Sequence, residues 1–131
     1  MNPQERQELV SYRINKAKET LQEVDILIEN KFWTTSVNRL YYACYYAVIA
    51  LLVKNEIKTQ THAGVRKMFG LHFVKAELID KDLGKFYSDI FDKRQSGDYD
   101  DFITFSQREV VSLLQRAKQL IREIERILTN Q

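Results

Sequence analysis

The chain has 131 residues, enough for one domain with a hydrophobic core, and its 44% hydrophobic and 29% charged residues exclude a disordered polymer. A net charge of +2 is too small to argue nucleic-acid binding by itself, and the single cysteine, Cys44, excludes an internal disulfide and a cysteine zinc cluster. One proline and four glycines favour long uninterrupted helices over a turn-rich β fold.

The first helix is announced by Asn2-Pro3-Gln4-Glu5. Asn is a good N-cap, Pro suits the first helical position, and Glu at the third can return a hydrogen bond. Leu9, Ile14, Ala17, Leu21, Val24 and Ile28 then form one apolar face, and Asn30 is the expected stop. A second helix is expected from Thr34 or Thr35 to about Asn55. It is apolar most of the way round, which marks a central helix. Its run from Leu40 to Val53 is too short to span a bilayer. Four tyrosines lie in it (Tyr41, Tyr42, Tyr45, Tyr46), each with a hydroxyl that needs a partner, so some are expected at an interface or a polar pocket.

Thr61 is the expected cap of a short third helix from about His62 to Phe73. Asp80 caps a fourth, which carries Leu83, Phe86, Tyr87, Ile90 and Phe91 and is expected to end near Ser96-Gly97. The polar stretch Lys93-Arg94-Gln95-Ser96-Gly97-Asp98-Tyr99 reads as a break between helices. Ser106-Gln107-Arg108-Glu109 is a capping box, and Val110, Leu113, Leu114, Ala117, Leu120, Ile121, Ile124 and Leu128 follow at helical spacing. No segment alternates with period two. The expectation is therefore an all-α, up-and-down four-helix bundle with an additional short helix, as a single domain over residues 1–131. The polar N-terminus lacks a signal-peptide core, which leads to the expectation of a cytoplasmic protein without a membrane anchor.

Charge is uneven along the chain. From Lys54 to Lys75 five basic residues face one acidic residue, and from Glu77 to Asp101 eight acidic residues face four basic ones. His62 and His72 have no metal-binding spacing, so neither a metal nor a cofactor is expected. Glycine-rich phosphate loops and a Gly-x-Ser-x-Gly elbow are absent. Two candidate sites remain. One is His62 at a helix start, where free N–H groups and a positive helix end suit phosphate; its alternative is a capping or packing histidine. The other is Arg94 beside Lys93, a planar permanent cation for phosphate or carboxylate; its alternative is an ion pair with Asp92 or Asp98.

Taken together, Asn38-Arg39-Leu40-Tyr41-Tyr42-Ala43, Thr61-His62-Ala63-Gly64-Val65, Phe73-Val74-Lys75, Asp82-Leu83-Gly84 and Arg94-Gln95-Ser96-Gly97-Asp98-Tyr99 resemble the HEPN family, closest to its small stand-alone prokaryotic branch. The resemblance implies an all-α bundle that forms homodimers and is often paired with a minimal nucleotidyltransferase in toxin–antitoxin modules. It implies that active members are metal-independent RNases, with an Arg followed four to six residues later by a His. Arg94 matches the motif Arg and Gln95 its polar follower, but Tyr99, Asp100 and Asp101 stand at the His positions. A tyrosine with an ordinary pKa near 10 is a poor base at neutral pH.

The expected function is accordingly a subunit of a nucleotidyltransferase-linked or toxin–antitoxin module that binds nucleotide or RNA. Lys93, Arg94, Gln95 and Asp98 are its candidate ligand-binding residues. The alternatives are a metal-independent RNase toxin and a non-catalytic dimeric interaction module. If catalysis survives, Arg94, His62 and Tyr99 are the candidates, with His62 as a non-standard base brought to Arg94 by the fold.

Overall fold

The computed structural model describes all 131 residues, in five α-helices and no strand. They are α1 (Pro3–Glu29), α2 (Trp33–Lys54), α3 (His62–Phe69), α4 (Lys81–Tyr99) and α5 (Gln107–Thr129), and a π-helical turn, Gly70–Val74, follows α3. The all-α bundle with one short extra helix is therefore present as the periodicity indicates. Helix α2 is the central element: α1, α4 and α5 all pack on it, and the start of α3 touches it near its middle, at Tyr41, Tyr42 and Tyr45. That explains a helix apolar all round. Its length and hydropathy would also suit a membrane span. Here, however, Val37, Leu40, Tyr41, Cys44, Val48 and Leu51 are fully buried against other helices.

The local signals sit where the chain places its helix ends. Asn2 accepts from the Glu5 amide at 2.8 Å. Thr61 Oγ1 accepts from Gly64 N at 2.9 Å, and Asp80 accepts from Asp82 N at 2.8 Å. Ser106 and Glu109 close a reciprocal capping box. Each satisfies amide groups that the helix itself leaves unpaired. Helix α2 starts earlier than Thr34, at Trp33, with no side-chain cap. There the Ser36 hydroxyl donates to the Phe32 carbonyl at 2.7 Å.

Two expectations need correction. Helix α3 ends at Phe69, and the segment to Val74 widens into a π turn. The stretch from Lys93 to Tyr99 is no break, because α4 runs through all of it. Gly97 is helical, and its role is close packing: a Cβ there would come within 2.8 Å of the Phe105 ring and 3.4 Å of Thr34 Cγ2. A glycine that reads as a breaker in sequence thus lets the returning loop and the first turn of α2 lie directly on α4. The true break comes later, from Asp100 to Phe105, before the Ser106 cap.

Candidate functional site

Because α4 stays helical past Arg94, this side chain projects inward instead of from a loop. Only 8% of Arg94 is exposed. Its guanidinium carbon lies 4.7 Å from the Tyr41 ring centroid, 5.7 Å from that of Tyr42 and 5.9 Å from that of Phe91. Two of these rings come from α2 and one from the preceding turn of α4, so the cation is held by π faces. Its one charged neighbour is Asp98, one turn on, at 3.8 Å from Nη1. That is beyond hydrogen-bond distance. Asp98 Oδ2 instead accepts from Asn38 Nδ2 at 3.0 Å, and Arg94 Nε is buried with no partner at all. Asp92, the other carboxylate weighed against Arg94, pairs with Arg66 at 3.2 Å.

His62 is the first residue of α3 and half-buried. Its Nδ1 lies 2.7 Å from the Tyr41 hydroxyl. Its ring stacks on Tyr45 at 4.3 Å between centroids and meets the Tyr42 ring edge-on at 5.7 Å. Tyr41 is therefore shared. Its face carries the Arg94 guanidinium and its hydroxyl carries the His62 imidazole. Residues 32 positions apart in sequence are thus brought to one aromatic floor. Burial lowers the His62 pKa from its ordinary value, and the Arg94 charge lowers it further. Burial pushes the Tyr41 phenol up to about 12 and raises that of Tyr45. All three groups are consequently neutral at pH 7, and Arg94 is the permanent charge among them.

Two more arginines border this floor. Arg66 on α3 lies 4.1 Å from the Phe91 ring centroid, and Arg39 on α2 lies 5.4 Å from that of Tyr42. The other sequence candidates are placed differently. Lys93 is half-buried without an ion pair, Gln95 is exposed, and Tyr99 at the end of α4 is 81% exposed. Asp98 is tied to Asn38. His72 is exposed on the π turn and has no part in the cluster. Histidine, cysteine and carboxylate side chains nowhere gather into a group able to hold a metal ion. A cavity of about 520 Å³ lies elsewhere, lined by Gly70, Val74, Lys75 and their neighbours up to Lys81.

Tyr41 and Asn38 do not stand among the candidate catalytic or ligand-binding residues of the sequence, although Tyr41 belongs to the tyrosine run expected at an interface or a polar pocket. The signal available was the unusual tyrosine run on a central helix, whose hydroxyls need partners. Which tyrosine would be the shared one is a property of the α2–α3–α4 junction.

Comparison with known proteins agrees with this architecture. The HEPN domain family model matches residues 10–127. A UPF0332 protein of Thermotoga maritima is 33% identical over 124 residues, which covers 95% of this chain and 94% of the relative. Two proteins of Methanocaldococcus jannaschii, each named "putative toxin", are 32% and 33% identical over 115 residues. Those matches cover 88% of this chain and 78% and 85% of the relatives. With a family match across nearly the whole bundle and relatives of similar length, this chain belongs to the HEPN domain family.

Proposed function

We propose that this protein is a toxin-type HEPN subunit, acting in the cytoplasm, whose Arg94 pocket holds a phosphate group of RNA or of a nucleotide. The reading rests on one observation: an arginine more than nine-tenths buried whose Nε is buried without a hydrogen-bond partner and whose one ion pair, to Asp98, is 3.8 Å long. Burying such a group without partners is costly, and an anionic oxygen group is the complement its fork accepts best. Arg39 and Arg66 border the same floor, each in an ion pair of its own, with Glu23 at 3.7 Å and with Asp92 at 3.2 Å. The relatives named as toxins give the module type, and a small nucleotidyltransferase is the partner proposed with it.

The test is direct. Fluorescence anisotropy with a labelled single-stranded RNA, competed with inorganic phosphate and with mononucleotides, compares the wild type with Arg94→Ala and with an exposed control, Arg122→Ala. Removing a charge-assisted bond is worth about 1.5–3 kcal/mol, so Arg94→Ala weakens binding by about 10- to 100-fold. Equal affinity in Arg94→Ala and wild type rejects the pocket.

A second reading, RNA cleavage without metal, draws on the Tyr41–His62 contact, which brings an imidazole to the Arg94 floor. Incubation with tRNA and mRNA in EDTA tests it, with Arg94→Ala as the control. A third, a dimeric interaction module, draws on the α4 end and the loop after it, where Tyr99 is 81% and Phe102 94% exposed. Phe32 in the α1–α2 turn is 56% exposed as well. The homodimer proposed here uses that tip, and light scattering of a Phe102→Ser variant tests it.

A further inference from the structure

We infer that Tyr41 is a positioning residue that holds His62 as a neutral hydrogen-bond donor, so that His62 offers Nε2–H beside Arg94 to an anionic oxygen of the ligand and is not a base. The inference deepens the phosphate reading above and rests on it.

The argument starts from the 2.7 Å contact between the Tyr41 hydroxyl and His62 Nδ1. A contact this short needs one proton between the two atoms. A neutral phenol is a good donor, and the in-plane lone pair of a neutral imidazole is a good acceptor. The reverse arrangement would ask a phenol oxygen, whose lone pair is shared with its ring, to accept from imidazole. Tyr41 is fully buried and keeps its proton, with its pKa pushed up to about 12. Imidazolium is disfavoured by burial and by the Arg94 charge. The buried Tyr87 hydroxyl adjoins that of Tyr41 and lowers its pKa, as a donor to the Tyr41 oxygen does, so the proton of Tyr41 is left to go to Nδ1, which keeps the ring proton on Nε2. Nε2 makes no hydrogen bond within the protein, since the Tyr41 contact is the one hydrogen bond His62 makes through its side chain.

The ring is held in orientation as well as in tautomer. It stacks on Tyr45 with the planes 20° apart and meets Tyr42 edge-on. Its backbone is anchored by the Thr61 cap, and at the start of α3 the first amides are free donors that add to the same polarity. Arg94 borders the same Tyr41 and Tyr42 rings. The site therefore presents two kinds of donor, a charged fork and a neutral imidazole N–H. With its proton on Nε2, the imidazole offers no free lone pair to take a proton from a 2′-hydroxyl. This separates the chain from a cleavage site that has a neutral imidazole with Nε2 open. The ligand class that suits it is a phosphate monoester or diester that is bound without being broken.

The experiment is nitrogen-edited NMR of the histidine side chains in the full-length protein, with the exposed His72 as internal reference, without ligand and then titrated with inorganic phosphate and a single-stranded RNA. The wild type is expected to carry its His62 proton on Nε2. Tyr41→Phe keeps the ring under Arg94 and removes the hydroxyl. It is expected to move the population toward Nδ1–H and to weaken phosphate binding by about three- to tenfold, with circular dichroism confirming the fold. His62→Asn, at a half-exposed helix start, is expected to weaken binding by about tenfold, with the RNA intact throughout. A wild-type proton on Nδ1, or RNA cleavage that disappears in His62→Asn, overturns the donor role while phosphate binding stands. If the wild type binds neither phosphate nor RNA, the pocket reading itself fails and takes the donor role with it.

Discussion

Replacing Arg94 by Met separates a ligand-binding arginine from a structural one. The free protein carries a guanidinium that is 8% exposed, with Nε buried and unpartnered and its nearest carboxylate oxygen 3.8 Å away. Leaving that donor unsatisfied costs about 1–3 kcal/mol. Against this stand the cation–π contacts, closest at 4.7 Å to Tyr41, worth about 1–2 kcal/mol when desolvated. The long ion pair with the part-exposed Asp98 adds at most about 0.5 kcal/mol. The two sides nearly cancel. Met has a similar reach, fills the space beside Tyr41 and Phe91, and brings no polar group. Arg94→Met is therefore expected to leave stability between unchanged and about 1 kcal/mol higher. With an unfolding entropy of about 2.1 cal/mol/K per residue, each kcal/mol moves Tm by about 3–4 °C in a chain of this size. Thermal and urea unfolding of both proteins, with RNA binding measured in parallel, gives the answer. The expected pair of results is an unmoved or raised midpoint with binding lost. A loss of about 2 kcal/mol or more, seen as Tm falling by about 6–8 °C, would refute the reasoning. It would mean that the guanidinium is satisfied by the fold and has no need of a ligand.

The remaining predictions concern titration, packing and backbone. His62 has a folded-state pKa below its ordinary value because of burial and the Arg94 charge. The folded protein therefore resists protonation there: the stability is present above the unfolded pKa of about 6.5 and is lost as pH falls through the lower folded pKa. Urea midpoints measured from pH 8 to pH 5 should decline, and His62→Asn should flatten that decline; an unchanged slope in the variant counts against it. Gly97→Ala places a Cβ 2.8 Å from the Phe105 ring and should cost about 1–3 kcal/mol by overpacking, measured as a fall in the urea midpoint. Lys31, in the turn after α1, has φ 60°, a conformation that suits glycine, so Lys31→Gly should stabilise by about 0.5–1 kcal/mol in the same assay.

Much of the bundle was decided by the sequence alone. Asn2, Thr61, Asp80 and Ser106 each cap the helix they precede. Capping is a contact between residues two or three positions apart, and apolar periodicity is a property of one helix, so both are legible without the fold. The same local logic misread Gly97. A glycine after a serine in a polar stretch looks like a stop, yet the cause of Gly97 is the Phe105 ring and Thr34, which only the assembled chain brings there.

The site divides in the same way. Residue chemistry marked Arg94 and His62 as the groups suited to an anion. Tertiary structure decided that they share one floor, through Tyr41 between them. It also decided that Arg94 is buried with its Nε unpartnered, while Tyr99 stands 81% exposed. Burial, the partner of a hydroxyl and the tautomer of a histidine all depend on three helices meeting. No spacing within any one of them encodes that junction.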